Sequence, residues 1–380
     1  MSIPYSQVPP PAFVLDEARL RKNLERIQSV QKRSGAQVIL ALKGFAFWRV
    51  FPMVGEYLCG ATASSLYEAR LIFEEMGVRA HTYAPAYTDA DFGAIAHLSS
   101  HLTFNSLTQF ERFSGHPQLL ESNTSLGLRV NPGYSDVEVA LYNPADPRSR
   151  LGVSWEALGD KLPPGLEGIH VHTLCESSAA ATQQLIETVE QRLGHLLPHL
   201  KWINFGGGHL MTRAGYDLDV LVHALQGFIA RYPHLDVFLE PGSAIAWDTG
   251  ELVATVLDVV ENAGVKTAIL DVSFTAHMPD TLEMPYRPRI LGAGDPVEGK
   301  PSYRLGGVSC LAGDFMECYA FDQPLEPGDR IVFMDMMHYT MVKTTMFNGV
   351  KHPDICIWRE SGELEVVRQF TFEDFKRRLS

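Results

Sequence analysis

Cysteine is scarce in this chain and poorly placed for cross-linking. Cys59, Cys175, Cys310, Cys318 and Cys356 are odd in number, widely spaced and include no C-x-x-C pair. Such spacing argues against a disulfide framework and against a zinc knuckle, and makes reduced cytoplasm the expected compartment. Long apolar runs are missing too. No stretch approaches the ~20 residues that span a bilayer, and residues 1–12 hold no basic segment followed by an apolar one, so neither export nor membrane insertion is expected. Positive charge is in deficit, with 32 Lys and Arg against 45 Asp and Glu and a formal net charge of -13. That sign argues against nucleic acid and anionic membrane as partners, and it would draw cationic small molecules. Low-complexity segments are absent. What remains is 380 residues of ordinary globular composition, 46% hydrophobic and 20% charged, enough for about two domains with large cores.

Within that composition the run Val38-Ile39-Leu40-Ala41-Leu42-Lys43-Gly44-Phe45 stands out, because an apolar strand-like stretch ends on a lysine. In a strand covered on both faces an ammonium is costly unless it is paired, neutralised by a lowered pKa, or consumed in a covalent bond such as an imine. The plain alternative is that Lys43 lies just past the strand and snorkels to water. Seven similar runs follow, at Ala61–Ser65, Ala80–Ala84, His101–Asn105, Ser125–Val130, Gly168–His172, Trp202–Phe205 and Asp236–Leu239. Helical patterns separate several of them, such as Leu66, Ala69, Phe73 and Met76, or Leu185, Val189 and Leu193. Eight strands alternating with helices predict an α/β fold: a closed (β/α)8 barrel with its site at the strands' C-terminal ends, with an open doubly wound sheet as the rival. Residues 16–30, with Asp16 as cap and Leu20, Leu24 and Ile27 on one face, predict the helix before the first barrel strand.

From about Glu251 the helical rhythm stops. Runs at Glu251–Val260, Thr267–Phe274, Tyr303–Ser309, Arg330–Met336 and Leu364–Phe370 predict a C-terminal all-β domain, with a turn at Pro327-Gly328-Asp329. The expected division is a barrel over 17–247 and a β-domain over 248–380, joined by an N-terminal strand within 1–16 that contains Phe13-Val14-Leu15.

Polar residues gather at the expected strand ends. Gly206-Gly207-Gly208 follows the seventh run, and three glycines let backbone N–H groups crowd an anion, commonly a phosphate at that place in a barrel. The competing reading is a flexible loop. Glu240-Pro241-Gly242 ends the eighth run with a carboxylate at the barrel mouth, or merely at the surface. His170 and His172, two apart, share one face of the sixth strand. They could ligate a metal together with His209 or Asp271, stack on a flat cofactor ring, or be core histidines. A lysine, a phosphate cradle and a carboxylate aimed at a ring nitrogen are what pyridoxal phosphate requires, and a metal site accounts for none of the three.

The motifs in order are "LALKGF" at 40–45, "HVHTLCE" at 170–176, "NFGGGH" at 204–209, "LEPGSA" at 239–244, "SCLAGD" at 309–314 and "HYTMVKTTMFNG" at 338–349. Together they resemble the alanine-racemase-fold (fold type III) pyridoxal-phosphate-dependent decarboxylases, and within these the carboxynorspermidine (carboxyspermidine) decarboxylase branch. The resemblance spans nearly the whole chain. It implies that Lys43 carries the cofactor as an imine, that His172 stacks on its ring, that Gly206, Gly207 and Gly208 hold the phosphate, that Glu240 pairs with the ring nitrogen, and that Tyr339 touches the phosphate. It further implies a homodimer in which Cys310 and Asp314 reach the partner subunit's pocket, with Cys310 as a candidate proton donor. The substrate would be an α-amino acid with an aminopropyl- or aminobutyl-amine tail. Glu176, Asp271, Asp280 and Asp314 are the candidate carboxylates for its amines. Ser243 stands where that branch leads one to expect an acid, and Gly44 where a larger residue is expected. The alternatives are a related diaminopimelate, ornithine or arginine decarboxylase, a racemase, a catalytically silent relative, and a barrel metallohydrolase using His170, His172 and His209.

Overall fold

The computed structural model describes residues 3–380, which fall into two compact units. Asn23–Ile245 make one, and the other joins the chain up to Lys22 with Ala246–Ser380. Met1 and Ser2, at the head of the expected N-terminal strand, lie outside the described residues.

The first unit is built on a parallel sheet that follows chain order from Leu40–Ala41 through Ala61–Ala63, Ala80–Tyr83, Ser99–Phe104, Ser125–Asn131, Gly168–His170 and Trp202–Asn204 to Asp236–Leu239. It closes because the first run is cut in two at Ile39. Gln37–Val38 pairs with Asp236–Leu239, and Leu40–Ala41 pairs with Ala61–Ala63, so both edges of the sheet belong to one segment. Ile39 N–H donates to Leu239 O at 2.9 Å and Leu40 N–H to Gly60 O at 3.0 Å, handing the ladder from last strand to first. The expected barrel is present, with a strand in each of its eight runs.

Side-chain caps start the intervening helices. Ser65, Ser178 and Asp217 accept from backbone N–H groups at the heads of Leu66–Met76, Ala179–Leu193 and Leu218–Arg231. Asp16 likewise takes the Arg19 N–H at 3.1 Å at the start of helix Glu17–Ser34. Leu20, Leu24 and Ile27 are buried, as are Leu185, Val189 and Leu193. In Leu66–Met76, however, Ala69 and Ile72 are buried while Phe73 is 44% exposed. Leu71, Ile72 and Phe73 are consecutive apolar residues, so periodicity admits two phases and packing against the barrel selects the one through Ile72.

The second unit is a nine-stranded mixed sheet. Strand Ala12–Asp16 lies inside it, antiparallel to Gly250–Asn262 and parallel to Asp354–Trp358, so the N-terminal run completes a sheet made otherwise from the C-terminal third. Strands Phe315–Phe321 and Asp354–Trp358 were not evident from patterning, and short helices Phe274–His277, Asp280–Glu283 and Phe372–Leu379 accompany the sheet. At the Pro327 turn Asp329 N–H reaches Glu326 O at 3.1 Å, and Gly328 supplies the positive φ of +101° that a type II turn needs. Among the described residues no helix is long and apolar enough to cross a membrane.

Candidate active site

Two turns at the barrel mouth interlock and set the separation of the lysine and the glutamate. Past Leu40–Ala41 the chain folds back sharply, with Gly44 and Phe45 N–H groups both reaching Ala41 O, and Leu42 and Phe45 buried as anchors. Ala41 N–H in turn reaches Pro241 O at 3.1 Å. A Cβ on Gly44 would lie 2.8 Å from Gly242 Cα, so the two glycines permit backbone to pack on backbone. That contact gives the small residue at 44 a structural reason.

Glu240 is the hub. Its Oε1 lies 2.7 Å from His172 Nδ1 and 2.8 Å from His170 Nε2, and its Oε2 accepts from Asn204 Nδ2 at 3.0 Å. Burial alone would push this carboxyl up, but the two imidazoles outweigh it and hold the group well below the usual carboxylate range. His172 itself is pushed down to about 3 by burial and by the neighbouring Lys43 ammonium, so near neutral pH it donates as an uncharged ring. Its Nδ1 must therefore carry the hydrogen toward Glu240, which leaves Nε2 as an acceptor 3.3 Å from Lys43 Nζ. The Gly207 N–H, 3.4 Å from that same Nδ1, then finds no lone pair there and is left available to another acceptor.

Lys43 retains solvent access yet is densely surrounded by protein. That setting, with a lesser push from Arg129, lowers its ammonium below the ordinary lysine range despite the pull of Glu240. Both readings of the sequence are thus partly realised: the side chain lies past the strand, and its proton is loosened. Arg129 is buried, donates to His172 O at 2.8 Å, and stacks on Tyr83 with Cζ 4.6 Å from the ring centroid. Sequence reasoning passed over Arg129 and Asn204. An arginine within the apolar strand "LGLRVN" was the available signal, and Asn204 stood in plain view ahead of the glycines.

The glycine turn is a cradle that side chains would fill. Gly206 and Gly208 hold φ of +73° and +90°, and a Cβ would meet His172 Cα at 2.7 Å in the first and the Leu174 carbonyl at 2.4 Å in the second. Glu176, at the same mouth, is exposed and holds φ of +52°, a strained conformation for glutamate. Ser243 opens the short helix Ser243–Ala246 directly after the Glu240 turn.

The remaining candidates lie in the sheet unit. Cys310 is exposed, and its N–H donates to Asn348 Oδ1 at 2.9 Å. Asp314 is buried with both oxygens engaged, taking the Thr275 N–H at 3.1 Å and the Ser309 hydroxyl at 2.6 Å. Asp280 pairs with Lys343, which also reaches Glu283 at 2.8 Å. Asp271 accepts from Thr255 N–H at 2.8 Å, and burial raises its carboxyl. Tyr339 holds φ of +52°, next to His338, which stacks on Trp247. For the metal alternative, His170, His172 and Glu240 cluster closely enough to hold an ion, whereas His209 Nδ1 is engaged by Thr182 Oγ1 at 2.9 Å.

The family model described as pyridoxal-dependent decarboxylase, C-terminal sheet domain, matches residues 12–337. The chain belongs to the pyridoxal-dependent decarboxylases. A carboxyaminopropylagmatine decarboxylase of Synechocystis sp. is 52% identical over 98% of this chain and 96% of its own length. A carboxynorspermidine/carboxyspermidine decarboxylase of Campylobacter jejuni is 43% identical over 98% of this chain and 99% of its own. The crystal structure of carboxynorspermidine decarboxylase complexed with norspermidine, also from Campylobacter jejuni, superposes with a TM-score of 0.90 at 42% identity, covering 98% of this chain and 100% of that one. As a member of this family the enzyme uses pyridoxal phosphate, and the barrel fits that group. Its aldehyde, ring nitrogen and phosphate need an amine, an ionised carboxylate and a side-chain-free turn, which Lys43, Glu240 and Gly206–Gly208 supply.

Proposed function

We propose that this decarboxylase removes the α-carboxyl group of a carboxylated polyamine, converting R–CH(NH3+)–COO− and a proton to R–CH2–NH3+ and carbon dioxide, as a step in polyamine biosynthesis. The observation that carries the reading is the Lys43–His172–Glu240 chain of contacts at 3.3 and 2.7 Å, whose carboxylate stays ionised beneath a lysine with a loosened proton. Pyridoxal phosphate, when bound, supplies the electron sink for the carbanion left by carbon dioxide. The residues of the chain do the rest. Lys43 Nζ would hold the cofactor covalently, the glycine turn would hold its phosphate, with Tyr339 as a further proposed phosphate contact, and the His172 ring would pack against its ring. Glu240 would hold a proton on the ring nitrogen. Cys310 Sγ or Lys43 Nζ delivers the proton that replaces the lost carboxylate.

The proposed substrate class is supported by the relatives named above and by the acidic balance of the chain. Glu176, Asp271 and Asp280 are proposed to receive the tail's cationic nitrogens, with Ser243 as a further proposed substrate contact. Asp314, which accepts from Thr275 N–H and the Ser309 hydroxyl, is proposed as a further carboxylate of the substrate pocket. The assembly is proposed to be a cytoplasmic homodimer in which Cys310 and Asp314 serve the partner subunit's site. The five free cysteines support the reducing compartment.

Two tails compete. Identity of 52% to a carboxyaminopropylagmatine decarboxylase favours a guanidinium end, and 43% to a carboxynorspermidine/carboxyspermidine decarboxylase supports an ammonium end. A planar guanidinium and a point-charge ammonium demand different carboxylate geometry, whereas one methylene is worth about 1–3 kcal/mol. Carbon dioxide release from carboxyaminopropylagmatine, carboxynorspermidine and carboxyspermidine, compared as kcat/KM, decides. A preference for diaminopimelate, ornithine or arginine over all three would overturn the proposal.

A further inference from the structure

Barrel interiors are ordinarily filled by branched apolar side chains, but below Glu240 this one is polar. A void with room for about one water is lined by Thr62, His81, Thr103, His170, Asn204 and Glu240, among others. His170 is 2% exposed and lines this void: its Nε2 lies 2.8 Å from Glu240 Oε1, while its Nδ1 has no hydrogen-bond partner in the protein. A nitrogen that close to a carboxylate carries the hydrogen, so the other nitrogen is a buried polar atom in need of a partner. Its neighbours are spoken for. Tyr83 packs edge-on against the His170 ring and turns its hydroxyl to Asn105 Oδ1 at 2.7 Å. Asn204 gives Nδ2 to Glu240 and takes the Gly206 N–H on Oδ1 at 2.8 Å. Thr62, Thr103 and His81 remain on the void's wall as polar groups that could hold the far side of a water, and a water needs two to four such partners.

We propose that the void is an ordered-water site and that His170, anchored by that water, is a positioning residue that holds the Glu240 carboxylate as an ionised acceptor aimed at the cofactor's ring nitrogen. The inference rests on the reading of Glu240 as that nitrogen's partner. Three N–H groups hold the carboxylate, from His170, His172 and Asn204. His172 must also cover the cofactor and Asn204 must also brace the glycine turn, which leaves His170 as the donor with no second duty. A water on Nδ1 fixes the ring's tautomer and orientation, much as outer hydrogen bonds fix a metal-bound histidine.

The test is nitrogen NMR of the holoenzyme loaded with cofactor labelled at the ring nitrogen, comparing wild type, His170→Phe, His170→Gln and Glu240→Gln. Wild type should show a protonated ring nitrogen. His170→Phe should move the resonance toward the unprotonated position and lower kcat at least tenfold with KM within twofold, while His170→Gln, which keeps an N–H within reach of the carboxylate, should hold the wild-type resonance. If Glu240→Gln moves the signal and His170→Phe does not, the role of His170 is overturned while that of Glu240 stands. If Glu240→Gln leaves it in place, the reading of Glu240 fails and takes the inference with it. A high-resolution structure of the wild-type enzyme tests the same point should His170→Phe not fold: a water within hydrogen-bond distance of His170 Nδ1 supports the site, and a dry void or a flipped ring overturns it.

Discussion

Replacing Glu240 by Gln removes one charge and almost no volume, yet the surrounding donors make it a demanding substitution. Oε1 receives two N–H groups, from His170 and His172, and Oε2 receives the Asn204 amide at 3.0 Å. A carboxamide can place its oxygen toward the histidines only by turning its NH2 against the Asn204 NH2. Asn204 cannot flip freely to relieve this, because its Oδ1 holds the Gly206 N–H at 2.8 Å in the glycine turn. One buried donor is left unsatisfied, worth about 1–3 kcal/mol of stability. The larger effect is on the reaction. Loss of a charge-assisted partner to the ring nitrogen weakens the electron sink by about 2–4 kcal/mol in the transition state, or roughly 30- to 900-fold in kcat. Cofactor should still bind, since Lys43 and the glycine turn are untouched. Steady-state carbon dioxide release on cofactor-saturated enzyme, with occupancy read from cofactor absorbance, measures both effects. Turnover within threefold of wild type would show that Glu240 does not serve the ring nitrogen.

Borohydride reduction of the holoenzyme followed by peptide mass mapping should find the pyridoxyl group on the peptide containing "LALKGF", and its appearance on another lysine would remove Lys43 from its role. Gly208→Ala forces a Cβ to 2.4 Å from the Leu174 carbonyl at φ of +90°, so cofactor affinity should fall more than tenfold in a fluorescence titration; unchanged affinity would refute the cradle. Burial holds His172, His209 and His277 at pKa values of about 3, 4 and 3, below their unfolded values. The unfolded chain therefore binds more protons as pH falls below about 6.5, and each histidine should cost up to about 1.4 kcal/mol of stability per pH unit down toward pH 4. Equal denaturation midpoints at pH 7.5 and 5.5 would contradict their burial as neutral rings. Mixing inactive Lys43→Ala and Cys310→Ala subunits should restore up to about a quarter of wild-type activity if random two-fold dimers form sites from both chains. No recovery after verified exchange would place the two residues in one subunit's own pocket or remove Cys310 from the chemistry.

Local chemistry carries far along this chain. Alternating apolar runs and helices announced the barrel, because strand and helix periods are properties of neighbouring residues, and Gly206-Gly207-Gly208, Glu240-Pro241-Gly242 and Lys43 stood out because each is odd for its setting. What periodicity could not reveal is pairing between distant segments. The cut at Ile39 that closes the barrel depends on Leu239 and Gly60 arriving on either side of it. Asp354–Trp358 becomes a strand beside Ala12–Asp16, more than three hundred residues earlier in the chain. Phe73 faces outward because packing chose between two helical phases that sequence leaves equivalent. The same division runs through the site. Residue types supplied the candidates, but the ionised state of Glu240, the tautomer of His172, the loosened proton on Lys43 and the participation of Arg129 and Asn204 come from burial and from distances of about 3 Å between residues far apart in sequence. Charge states and hydrogen-bond directions are set by what surrounds a group in space, and only the tertiary structure decides that.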